Sequence, residues 1–115
     1  MSLEQALIER FAADVEALIE GGTDVLVAIN ETAKTVVAEA ADLGEDLTLA
    51  AAGAVGGAIV VAGAVAITFE EAAAAAANGA VDAAADVSTN AAVRVRDAIS
   101  GTIKGVKVIV TSVVD

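Results

Sequence analysis

The sequence predicts an all-α protein, with long amphipathic and apolar helices packed as a hairpin or bundle and completed by self-association. Three observations carry that expectation. Residues 47–69 form an uncharged run of 23 residues, broken only by the hydroxyls of Thr48 and Thr68 and walled by Glu45-Asp46 and Glu70-Glu71. Residues 72–77 are six consecutive alanines, the strongest helix former. Elsewhere the apolar residues step by three and four, the spacing that lines one face of a helix.

The elements follow in order. Residues 1–20 read as an acidic amphipathic helix: Ser2 and Gln5 have capping-box spacing, and Leu3, Leu7, Phe11, Val15 and Leu18 recur at helical intervals. Gly21-Gly22 ends it. A second helix over 23–44 starts at Thr23 or Asp24 and carries Leu26, Ile29, Ala33, Val36, Ala40 and Leu43 on one stripe, with Gly44 as its stop. The third, 46–77, joins the apolar block to the Ala run. At 1.5 Å per residue the block alone would span roughly 34 Å, enough to cross a bilayer. Its large residues also fall on odd positions, a strand-like period of two. A Gly56-Gly57 hairpin, however, would pair odd with even positions and put those residues on opposite faces.

The last third reads as one amphipathic helix over 80–114. Positions 81, 92, 103 and 114 are Val, Ala, Ile and Val, and 84, 95 and 106 are Ala, Val and Val. Hydroxyl residues recur at 89, 100 and 111, so an 11-residue period, 3.67 residues per turn, holds one helix phase. Val93-Arg94-Val95-Arg96 and Val106 to Val110 keep an alternative reading as strands.

Composition narrows the chemistry. His, Cys, Trp, Tyr and Pro are absent, which removes the usual base near neutral pH, the thiolate nucleophile and the soft metal ligands. Gly53 to Gly57 lacks the order of a dinucleotide loop, and no P-loop Lys follows it. The pairs Glu45-Asp46 and Glu70-Glu71 suit helix ends better than acid/base work, and Asp82 and Asp86 share a helix face that suits solvent. Ser88 and Ser100 have no imidazole to activate them. No catalytic residue, cofactor, metal site or small-molecule substrate is assigned, and a non-enzymatic role is expected.

Charge is unevenly placed. Residues 1–46 hold eleven acids against Arg10 and Lys34, whereas 70–115 hold six acids against the basic cluster Arg94, Arg96, Lys104 and Lys107. A net charge of -11 argues against nucleic acid as a main partner, leaving the cluster as the one place for phosphate or lipid head groups. Neutralising acidic segments of neighbouring copies is the simpler use of those cations. The chain opens with acids rather than a basic start and an apolar run, so no cleavable signal peptide is expected. A membrane or an assembled particle is expected in preference to a free monomer.

Within the apolar block, Gly53 and Gly57 make G-x-x-x-G, with Gly56 and Gly63 seven apart. Small residues at this spacing allow close helix approach, and these four glycines are expected to serve self-association. Leu at Gly53 or Gly57 is then expected to reduce assembled mass while leaving helicity equal or higher. The acidic, apolar, basic order is similar to that of major coat proteins of filamentous phages, which implies an acidic outer surface and an interlocking apolar middle. The resemblance covers the charge order and the apolar block only; this chain is longer, and Asp97 interrupts its basic cluster. Two other roles fit the composition: a lipid-surface amphipathic protein, suggested by the 11-residue period, and a designed or reduced-alphabet helical bundle without a natural function, suggested by the five missing residue types.

Overall fold

A Gly-Gly pair closes the first helix of the computed structural model, which describes residues 3–111 and the side chains from Gln5 onward. Helix α1 (Leu3–Glu20) buries Ile8, Phe11 and Val15 along one face. Gly22, at φ +98°, lets Thr23 N–H reach Leu18 O at 3.0 Å and its own N–H reach Ile19 O at 3.0 Å. Those two bonds satisfy carbonyls that the helix end leaves free. Helix α2 (Val25–Asp42) begins on the Asp24 cap and ends the same way, with Gly44 at φ +71° and Glu45 N–H on Ala40 O at 2.8 Å. The expected stops at Gly21-Gly22 and Gly44 therefore have a hydrogen-bonding cause. The expected Ser2 cap and the Val114 column lie outside the described residues.

Helix α3 (Leu47–Ala64) is the apolar block, and Asp46 caps it. The expected single helix over 46–77 is corrected here: the chain leaves helical geometry at Val65 and restarts as α4 (Phe69–Val87). Thr68 and Glu71 form a reciprocal capping box, and Glu70 and Glu71 sit where the helix dipole favours negative charge. Once begun, α4 runs straight through Asn78-Gly79, past the end expected at residue 77. Both residues have packing work instead: Asn78 Oδ1 accepts from Thr111 N–H at 2.8 Å, and Gly79 lies against the backbone of Asn30 on α2.

The expected helix over 80–114 is also corrected. Ser88 takes the last turn of α4 and caps α5 (Thr89–Ile99), its Oγ accepting from Ala91 N–H at 3.0 Å. After Ser100 the chain forms a hairpin, β1 (Gly101–Ile103) paired antiparallel with β2 (Val106–Val108), in register Gly101 with Val108 and Ile103 with Val106. Lys104 at φ 50° and Gly105 at φ 79° make the two-residue turn whose twist matches a hairpin. Thr89 and Ser100 of the hydroxyl column thus mark the two ends of α5. A helix over 80–114 would be about 52 Å long, whereas the longest dimension of the fold is 34 Å.

Helices hold 77% of the described residues, which makes the fold all-α with a small appended hairpin. α1 and α4 both pack on α3, α2 packs on α4 and closes against α1, and α5 and β2 lie on α4. Among the described residues 17 of the 31 buried apolar side chains are Ala, and Phe11 is the one aromatic among them. Such small groups gain dispersion only if backbones come close. Gly53, Gly56 and Gly57 provide that approach for α1: Leu7, Ile8 and Phe11 occupy the space their side chains would fill. Substitutions at Gly53 and Gly57 consequently act first on the seat of α1.

This geometry ranks the glycines. A Cβ on Gly79 would strike the Asn30 carbonyl, a backbone group that cannot rotate away. A Cβ on Gly57 would lie 2.7 Å from Phe11 Cβ, and one on Gly63 meets nothing closer than Phe69 at 3.9 Å. In urea unfolding, Gly79→Ala is expected to destabilise by about 3 kcal/mol and Gly57→Ala by about 1 to 3, the usual range for overpacking. Gly63→Ala should instead stabilise by about 0.5 to 1 kcal/mol through helix propensity. Equal stability of Gly79→Ala and the parent would contradict the α2–α4 crossing described here.

Candidate interaction surfaces

The four glycines expected to meet another copy divide in the fold. Gly53, Gly56 and Gly57 are buried under α1 of their own chain, while Gly63 is exposed near the end of α3. α3 is the one described helix long and apolar enough to cross a membrane by length and composition, yet 61% of it is buried in the fold. The interlocking apolar middle implied by the coat-protein likeness is therefore filled from within the chain. What remains uncovered is the corner after α3, where Val60 and Phe69 are about half exposed and Gly63, Ala64 and Ala66 lie at the surface between them.

The basic cluster spreads over two elements. Arg94 and Arg96 project from α5, Lys104 sits in the hairpin turn and Lys107 on the exposed side of β2. Arg96 lies 3.8 Å from Asp97, the acid that interrupts the cluster in sequence. The Lys104 side chain crosses α3 above Gly56, beside Ile8. Arg94, Lys104 and Lys107 have no carboxylate within 4 Å among the described residues.

A cleft that the sequence reading missed opens between α1, α2 and the start of α3, with a volume of about 310 Å³. Its floor is Leu7, Val36, Ala40, Leu49 and Ala50. Arg10, Glu39, Glu45 and Asp46 stand around it with Leu43, which is 72% exposed. Arg10 pairs with Glu39 across the α1–α2 boundary and reaches Asp14 at 3.8 Å. The Glu39 hydrogen bond and charge hold the guanidinium still more firmly in its charged form. One available signal was Arg10 itself, one of only two cations among the eleven acids of residues 1–46.

Asp46 links this cleft to the fold. Its carboxylate accepts from Thr48 Oγ1 at 2.7 Å and from Thr48 N–H at 2.9 Å. These bonds favour the ionised form and lower its pKa, with a smaller contribution in the same direction from the charge of Arg94. A carboxyl whose pKa is lowered by folding adds stability above its unfolded pKa, and loses it as pH falls through the folded value. Acidification below the ordinary carboxylate range is therefore expected to weaken the α3 cap. Asp46→Asn keeps the acceptor but removes the titration, so its unfolding midpoint should fall less steeply with acid than that of the parent. Superimposable acid limbs for the two proteins would remove Asp46 from the acid response. No protein-family model, curated protein or solved structure matches this chain, so its role rests on these surfaces.

Proposed function

We propose that the chain is a non-enzymatic structural subunit that assembles with copies of itself. The observation that supports this reading is the placement of its cations. Acids outnumber bases 17 to six in this chain. Lys104 and Lys107 nevertheless have no carboxylate within 4 Å among the described residues, as is also true of Lys34 on α2, and Arg94 acts on Asp46 only from beyond that distance; Arg94, Lys104 and Lys107 share the C-terminal part of the fold. The acid excess lies in α1 and α2. A surface divided in this way offers each copy a complementary face on another, and complementary charge guides orientation more than it adds affinity. A coat, a filament subunit and a membrane-borne particle are all consistent with it.

The second reading, attachment to a lipid surface, draws on the uncovered corner from Val60 to Phe69. Glu70 and Glu71 beside it would be repelled by anionic head groups, so uncharged lipid is the better match.

Sedimentation velocity and electron microscopy of the purified chain, with and without detergent, separate these readings. Regular or concentration-dependent particles without detergent are expected for the assembling subunit. Co-flotation with phosphatidylcholine vesicles by an otherwise monomeric chain would favour lipid attachment. A monomer at all concentrations that ignores vesicles would refute both.

A further inference from the structure

Two surfaces of this chain, on different elements, match one another in charge and apolarity. One is the outer face of the hairpin. Val106 and Val108 are buried, so the alternating residues Lys107 and Ile109 face outward, and Ile109 is 55% exposed. The other is the cleft beside α1, lined by Arg10, three carboxylates and an apolar floor. Leu7 and Arg10 line the cleft, while Ile8, on another face of the same helix, abuts the place where Lys104 crosses Gly56.

We propose, building on the reading of the chain as an assembling subunit, that the hairpin face of one copy docks into the cleft of a second copy. Ile109 meets the exposed Leu43 and the apolar floor, and Lys107 places its ammonium against Glu45. Glu45 is the natural acceptor because Glu39 already holds Arg10 and Asp46 holds Thr48, whereas Glu45 feels the Arg10 charge without an ion pair within 4 Å. A lysine suits such a cleft, since its methylene stem lies on apolar surface while its head stays among carboxylates. Lys104 is committed to its own α3 and takes a supporting part. The hairpin is too short, and too marked by lysine, to recruit a neighbour through its strand edges. The side-chain face is the feature it presents.

Donor and acceptor are different patches, so the contact is heterologous. Each copy uses its hairpin on one neighbour and its cleft on another, which generates rings if the rotation closes and filaments if it does not.

Salt is a poor test, because it screens both the proposed pair and the repulsion between chains of net charge -11. Charge exchange is decisive. In sedimentation equilibrium, Lys107→Glu and Glu45→Lys are each expected to lower the association constant at least tenfold, with circular dichroism unchanged. Combining both substitutions in one chain, or mixing the two single variants, should restore association to within a few fold of the parent. If the parent assembles and the single exchanges leave it unaffected, or the combination fails to restore it, the docking is overturned while self-assembly stands. If the parent never assembles, both fall.

Discussion

Close approach of backbones is the constraint on which the rest of this structure depends. A core built largely of Ala, with Phe11 as its one aromatic, buries little area per side chain and must gain contact through proximity. α1 comes down onto α3 over Gly53, Gly56 and Gly57, and α2 meets α4 at Gly79. Each crossing places a large or polar partner, Phe11 in one case and Asn30 in the other, into space left by a missing Cβ. Asn30 adds a polar tie there, its Nδ2 donating to Ala75 O at 3.0 Å. The glycines in the middle of α3 and α4 weaken the isolated helices, and tertiary contact offsets that loss.

Much of the architecture was legible because it rests on local chemistry. Gly21-Gly22, Gly44 and the Asp24 cap act through bonds within a few residues of themselves, and a reader of sequence can see both partners. The errors came where a local signal was overridden from a distance. Asn78-Gly79 is a turn signal by composition, but Thr111 and Asn30 hold it in helix. The junction at 65–68 was hidden by uniform apolarity, although Thr68 and Glu71 carried capping-box spacing. The 11-residue columns were real but marked boundaries: Thr89 and Ser100 lie at the two ends of α5, and Val106 to Val108 took the strand alternative. Among the candidate surfaces, the spread of cations was visible in sequence, whereas the cleft required knowing that Leu7 and Arg10 stand opposite Val36 and Glu39.

The same crossings bear on where self-association can occur. A small-residue stripe is equally available to a helix of its own chain and to one from another copy, and the intrachain helix has the advantage of high effective concentration. α1 is tied to α3 through α2 and takes that seat. Under the proposed self-assembly, contacts between copies would then fall to groups the fold leaves unsatisfied, which are charges and edge apolar residues. Such contacts are more polar and more adjustable than a buried glycine seam.

The alanine core also sets an unusual direction to mutational tolerance. In a core of Leu and Phe, the common injury is truncation, which leaves a cavity. Here many buried positions are already Ala, so there is little left to remove, and the hazard lies almost wholly in enlargement. Met, the flexible side chain that elsewhere fills awkward gaps, occurs once, at position 1. A chain of this kind drifts easily toward smaller residues and can gain bulk only by opening its helices in concert, so its spacing, more than its side-chain identities, is what selection would have to hold.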